Sequence, residues 1–340
     1  MNYDIILVDV FNLYYRKKND RDLKLDAIEQ SANCVKYINS DIRTKLTENG
    51  YLYLLYDPII KDDLGFNKKF MYTSVRREMD PGYKANRHHS IDVQEAVRQI
   101  MNYYKYRGDH ILNVASPNLE ADDFVEQIIE KEKQHWEKEF PGKKCRVALF
   151  TTDMDWARYL SSGEFEVSII NDTFDNPFTK TSYKEKYGYV PTVASVTLDK
   201  AMFGDTSDNI IGCLKLKKAK FIQPDVEGLA KDIINNVAES GESLKSFTNR
   251  FLNYKVCDLL KKTGKTDEET LFLAMGSSIG KDDPLDAFKM NLRVIKSRCK
   301  NIDDHITWNK ENQQMIDVVE RVLNLKKSEQ KFKFGNVKIK

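Results

Sequence analysis

Five cysteines in 340 residues stand far apart (Cys34, Cys145, Cys213, Cys257, Cys299), and no two form a CxxC pair. A zinc site or a disulfide framework is therefore not expected, and reduced thiols in ordinary packing positions are. No apolar run approaches the roughly 20 residues that a bilayer-spanning helix needs. The N-terminus, MNYDIILVDV, lacks a basic region, an apolar stretch and a small-residue cleavage site. It reads as a first strand, and the chain is expected in the cytoplasm, the host's if the source is a phage. Internal repeats and low-complexity segments are missing as well. So is any Ser-His-Asp or Cys-His nucleophile. Net charge is almost absent, with 54 Lys and Arg against 52 Asp and Glu, a balance of +2.

What is present is a soluble globular composition, 41% hydrophobic and 31% charged, long enough for one large domain or two ordinary ones. The near-neutral total hides a segregation of signs. Several acids sit in tight pairs at loop positions, and basic residues gather elsewhere. That pattern suits a protein holding metal ions in one pocket and a polyanion around it.

Along the first half, short apolar strands alternate with helical segments. Ile5 to Val8, Tyr51 to Tyr56, Ile111 to Val114, Arg146 to Thr151 and Phe165 to Ile170 read as strands. Residues 22 to 48, 92 to 106 and 120 to 139 read as helices, and Pro191 opens another that runs to Phe203. This alternation predicts an α/β fold with a mainly parallel sheet flanked by helices. Beyond residue 215 the pattern is helical, so the expected division is a catalytic domain over 1–212 and a smaller helical region over 213–340 with a Lys-rich tail.

Acids follow the strands. Asp9 follows the first and Asp57 the second. Glu120, Asp122 and Asp123 come shortly after the third, Asp153 and Asp155 after the fourth, and Asp205 and Asp208 after the helix ending at Gly204. In a parallel sheet the C-terminal strand ends share one edge, where ligands bind. Any one of these acids can equally be a helix N-cap, but five segments together predict a common site. Close carboxylates suppress each other's ionisation unless a countercharge is present. Hard divalent cations with oxygen ligands answer that need, and Mg²⁺ is the usual occupant. A pair of ions about 4 Å apart is the arrangement that serves phosphodiester hydrolysis.

At these residues the sequence resembles the 5′-nuclease family, which includes phage 5′→3′ exonucleases, flap endonucleases, phage ribonuclease H and the 5′-nuclease domain of bacterial DNA polymerase I. The matching stretches are VDVFNLYYR (8–16), RREMDPGYKANR (76–87), NLEADDFVEQI (118–128), TTDMDWARYL (151–160) and AMFGDTSDNIIG (201–212), with YGYVP (187–191) ahead of the last. The resemblance implies a PIN-like fold with a helical arch over about 61–106. It implies two Mg²⁺ ions, with Mn²⁺ as the alternative. One ion falls mainly to Asp57, Glu120 and Asp122, with Asp9 and Asp123 near it. The other falls to Asp153, Asp155, Asp205 and Asp208. Lys84 is implied as the residue that positions or charge-stabilises the scissile phosphate, supported by Arg77 and Arg87, and Arg16 as a further phosphate contact. The local chemistry of the arch agrees: Lys68, Lys69, Arg76, Arg77, Lys84 and Arg87 surround Phe70, Tyr72 and Tyr83, mixing phosphate contacts with stacking faces.

Two departures stand out. Val10 replaces the family's usual glycine after the first Asp. After Gly212, where the family continues into a glycine-rich helix-hairpin-helix, this chain reads CLKLKKAKF (213–221). A degenerate hairpin is expected there, with Lys215, Lys217, Lys218 and Lys220 holding duplex by direct charge or forming a wet helix face. The tail SEQKFKFGNVKIK is either a closing strand, a frayed end or a peptide for a sliding clamp or single-strand-binding protein. The expected function is a structure-selective nuclease acting on 5′ flaps, 5′ ends and RNA–DNA primer junctions during replication, in the style of a phage enzyme. A PIN-like ribonuclease and a catalytically silent DNA-binding scaffold are the competing readings.

Overall fold

A computed structural model describes residues 2–18, 26–58, 74–85, 91–105, 110–163, 165–187, 189–212 and 284–306. Five strands, β1 (Tyr3–Asp9), β2 (Leu46–Leu55), β3 (Ile111–Val114), β4 (Arg146–Phe150) and β5 (Glu166–Ile170), form one sheet in the order β3-β2-β1-β4-β5. All four pairings are parallel. The order moves outward from β1 in both directions, so the topological switch point lies between β1 and β4, where open α/β sheets bind ligands.

Helices cover both faces, which is why the strands are continuous apolar runs rather than alternating ones. Successive residues of β1 point to opposite sides. Ile6 and Val8 join a cluster with α1 (Val10–Lys18), α2 (Ala27–Tyr37) and α4 (Ile91–Lys105). Ile5 and Leu7 join the other, with α5 (Ala121–Glu139) and a 3-10 segment (Met154–Tyr159). Short α3 (Val75–Met79) precedes the turn that carries Lys84, and α6 (Lys180–Tyr187) and α7 (Val193–Phe203) follow β5. After α7 comes a tight hairpin, β6 (Gly204–Asp205) and β7 (Ile210–Ile211). Gly204 has φ 76°, and a Cβ there would stand 2.4 Å from the Gly212 nitrogen. Only glycine fits this corner.

Two expectations change. The helical stretch of 22–48 yields earlier: α2 ends at Tyr37, π and 3-10 turns follow, and β2 begins at Leu46. Leu46 to Asn49, expected at the helix end, open β2 instead, and Tyr51 to Leu55 lie in the expected strand. Within the stretch expected to form an arch, α4 instead lies on the sheet, with Val93, Ala96, Val97, Ile100, Met101 and Tyr104 buried. Helix α8 (Pro284–Ile295) and the turn after it send Leu292, Val294, Ile295, Cys299, Ile302 and Ile306 into the same core as α5 and the sheet. No helix among the described residues is long and apolar enough to cross a membrane.

Candidate metal centre

Each strand end delivers its acid to the edge that holds the switch point. Asp9 closes β1 and accepts the Asn12 N–H at 2.9 Å. Asp57, two residues past β2, accepts the Ala121 N–H at 3.0 Å and so ties the β2 end to the start of α5. Glu120 is the N-cap residue of α5, with Asp122 and Asp123 in its first turn. Asp153 caps the 3-10 segment by accepting the Asp155 N–H at 2.9 Å. The hairpin turn holds Asp205 and Asp208, and Ser207 donates to Asp205 from its N–H at 2.8 Å. Asn12 and Thr152 bond each other, with Asn12 Nδ2 to Thr152 Oγ1 at 2.9 Å, joining the loops that carry Asp9 and Asp153. The local capping chemistry and the shared site are one arrangement: the N-cap positions are what place the acids.

Asp9, Asp57, Asp122, Asp153, Asp155, Asp205 and Asp208 line one cleft of about 670 Å³, together with Lys84. Oxygens of Asp155, Asp205 and Asp208 lie within 4.8 Å of one another. Glu120 and Asp123 sit behind the wall, each 1% exposed. Glu120 Oε2 accepts from Lys84 Nζ at 2.6 Å and from the Tyr83 hydroxyl at 2.9 Å. Its other oxygen, Oε1, is buried with no hydrogen-bond partner. Asp123 is committed to structure, accepting Glu120 N–H at 3.0 Å, Arg76 at 2.7 Å and Arg298 N–H at 3.1 Å. It belongs to the scaffold rather than to the cleft.

Four buried cations neutralise part of this charge. Arg76 and Arg158 both donate to Asp122 Oδ2, at 2.8 and 3.0 Å. Burial raises the Asp122 pKa, but the two guanidinia outweigh it and hold the acid at about 2. Lys84 lies between Glu120 and Asp208, 3.8 Å from Asp208 Oδ1. Its backbone takes φ 47° and donates to the Asp208 carbonyl at 2.8 Å. Lys200 bonds Asp155 and stands 2.7 Å from Asp208 and 3.1 Å from Asp205. Burial opposes its charge, yet these acids push its pKa well above the ordinary value. Burial opposes ionisation of Asp205 as well, but Lys200 and Ser207 outweigh it and lower the pKa. For Asp9 and Asp153 the balance goes the other way. Burial, with Asp57 and Asp153 nearby, raises Asp9 to about 8. Burial and Asp155 raise Asp153 to about 7. An orphaned carboxylate oxygen, two acids driven toward their neutral forms and an all-oxygen donor set fit hard divalent cations.

Several expected nucleic-acid contacts prove to be internal. Arg76 is 3% exposed and Tyr83 1% exposed, because both are spent on the acids of α5. Neither offers a face to a nucleic acid. Arg77 is half-buried on α3, outside the cleft wall, with Nη1 buried and without a hydrogen-bond partner. Arg16 is bonded to Asp172 and lies over the Phe150 ring at 5.5 Å. Lys68, Lys69, Arg87, Lys215, Lys217, Lys218 and Lys220 lie outside the described residues, as do the degenerate hairpin and the tail.

Lys200 and Arg158 are functional-site residues that pattern reading passes over. Each is a single cation inside an apolar stretch, VTLDKAMF and DWARYL, directly before or after an acidic pair. An isolated Lys or Arg in a buried helix needs a paired acid, and that signal is readable.

Fold and site together define an α/β protein with an acid-lined cleft at the C-terminal edge of a parallel sheet. A scan against protein-family models gives no match, and a search of curated proteins gives none at the threshold used. Solved structures do align. The flap endonuclease of bacteriophage T5, in a pseudo-enzyme–product complex with DNA and metal ions, aligns at 20% identity and TM-score 0.46, over 86% of this chain and 98% of its own. The catalytic core of Rad2 in complex with DNA substrate aligns at 12% identity and TM-score 0.39, over 84% and 78%. Human GEN1 in complex with Holliday junction DNA aligns at 12% identity and TM-score 0.39, over 92% and 68%.

Proposed function

We propose that this chain is a metal-dependent 5′-nuclease that hydrolyses phosphodiester bonds of DNA, and of RNA primers, at 5′ flaps or 5′ ends during replication, in a phage setting. One observation carries the reading. Seven carboxylates from five segments line a single cleft at the switch point of the sheet, and the cations around them leave much of that charge uncompensated. Four of the five sequence motifs that resemble the 5′-nuclease family carry six of these acids, the fifth carries Lys84, and Asp57 lies outside them.

Asp57, Glu120 and Asp122, with Asp9 beside them, would hold one divalent cation, Mg²⁺ or Mn²⁺. Asp153, Asp155, Asp205 and Asp208 would hold the second. When bound, such a pair lowers the pKa of water and stabilises charge on the transferring phosphate. The chain's own residues supply orientation. The Asp57 and Asp153 backbone bonds fix where their oxygens point. Lys84 stands at the cleft wall with its backbone locked to Asp208, so its ammonium is placed to meet a phosphate oxygen on leaving Glu120. Lys200 holds three acids together whose mutual repulsion would otherwise spread them.

The test is cleavage of a 5′-labelled flap duplex with Mg²⁺ and with EDTA, beside a blunt duplex and a single-stranded RNA. Metal-dependent cutting near the flap junction is expected. Cutting of RNA alone would move the chain to the PIN-like ribonucleases, and metal-independent binding without cutting would leave a scaffold.

A further inference from the structure

Arg158 is buried, lies outside the cleft wall and is a lone cation in an apolar 3-10 segment. Its guanidinium is used in three directions. Nη2 donates to Asp122 Oδ2 at 3.0 Å, Nε to the Asp155 carbonyl at 3.0 Å, and Nη1 to the Ile295 carbonyl at 3.3 Å. It therefore connects the acid of α5, the acid of the 3-10 segment and the chain that returns after α8. That returning stretch grips the same corner twice more, through Ser297 Oγ to the Asp123 carbonyl at 2.8 Å and Arg298 N–H to Asp123 Oδ1 at 3.1 Å. A third grip falls on the hairpin side, where Asn291 Nδ2 bonds the carbonyls of Ala201 and Ile211 at 2.9 and 2.8 Å.

Asp122 is the point where this matters. Arg76 and Arg158 both occupy Oδ2, so Oδ1 is the oxygen that Asp122 presents to the cleft. A carboxylate oxygen that accepts one N–H from each of two buried guanidinia is held against rotation, and partners behind a metal ligand commonly set its aim.

We propose that Arg158 is a positioning residue that aims Asp122 at a divalent cation and transmits to it the support of residues 284–306. The claim rests on the reading of the cleft as a metal centre. It adds that a segment distant in sequence is part of that centre.

The experiment is Mn²⁺ titration of the full chain, followed by electron paramagnetic resonance of the free ion, on wild type, Arg158→Lys, Arg158→Gln, Asp122→Asn and the Asp122→Asn/Arg158→Lys pair. Thermal melts in EDTA run beside it. Lysine keeps the charge and loses the fork, so Arg158→Lys is expected to fold and to need about 10-fold more Mn²⁺ for half-saturation. In the Asp122→Asn background the same change should have no further effect on Mn²⁺ binding. Where Arg158→Gln does not fold, Arg158→Lys carries the test. A lowered melting temperature with unchanged Mn²⁺ half-saturation would overturn the proposal, and so would effects that simply add in the double variant. Its failure is separable from that of the nuclease reading. A wild-type protein that binds Mn²⁺ in an Arg158-dependent way yet cuts no 5′ substrate refutes only the activity. Cutting with Mn²⁺ affinity indifferent to Arg158 refutes only the positioning role.

Discussion

On the α5 side of the cleft, Asp122 meets two buried guanidinia; on the hairpin side, Asp155, Asp205 and Asp208 share the ammonium of Lys200, with Lys84 also facing Asp208. The first arrangement keeps its acid ionised, at about 2. Between the two, burial and neighbouring acids outweigh the pull of Lys84 on Asp9 and of Lys200 on Asp153, and raise the pair to about 8 and about 7. The kind of countercharge decides what each half does before a metal arrives. Guanidinium forks are rigid and bidentate, so they fix geometry, whereas an ammonium is a point charge on a flexible stem and can yield its place. One half of the cleft is therefore pre-aimed, and the other is held together by a cation that a metal can displace.

Removing an acid from the proposed second metal site should have the largest effect. Asp153→Asn is expected to lower cleavage of a flap duplex by about 10³-fold, equivalent to about 4 kcal/mol of transition-state stabilisation, with flap binding retained in a gel-shift assay. Unchanged turnover would remove that half from the site. Next in size is Lys200→Met, which leaves three acids crowded without the cation they share. The metal-free protein should lose about 3 kcal/mol of stability, and Mn²⁺ should restore most of it in thermal melts. A loss that Mn²⁺ does not repair would make Lys200 a plain structural cation and erase the contrast between the halves.

The pH dependence separates the halves further. Asp9 moves from 3.8 in the unfolded chain to about 8 in the folded one. Between these values the folded protein holds a proton that the unfolded chain has released, so stability falls as pH rises. That contribution is fully present below the unfolded value and is lost as pH passes the folded one. Asp153 acts in the same sense up to about 7. Metal-free melting temperatures should therefore drop from pH 5 to pH 9, and Asp9→Asn should flatten the slope. A slope that rises over this range would contradict the burial of Asp9. The smallest effect is a control outside the cleft. Thr192 caps α7 by accepting the Ser195 N–H at 3.1 Å, and Thr192→Ala should cost about 1 kcal/mol, equally with and without Mn²⁺.

The sheet is legible in the sequence because strands buried on both faces are unbroken apolar runs, and Ile111 to Val114 matches the observed strand at both ends. The acids are legible because they end those strands. Arg76 and Tyr83 mislead for a physical reason: a basic and an aromatic residue near an acidic motif read as a polyanion surface, yet both are drawn inward to satisfy Glu120, Asp122 and Asp123. Residues 284–306 are not legible as part of the site, since their grip on it runs through the backbone groups Ile295 O and Arg298 N and through Ser297 Oγ. Such contacts leave no periodicity or motif behind. Asp123 illustrates the limit within a motif, because neighbouring acids on one helix turn can divide into a cleft ligand and a scaffold bond.

Isothermal titration of the metal-free protein with Mn²⁺ tests the central claim most directly. Two ions per chain are expected at pH 8, falling to one in Asp155→Asn, with proton release as Asp9 ionises. No saturable binding, or two ions undiminished in that variant, would contradict the account.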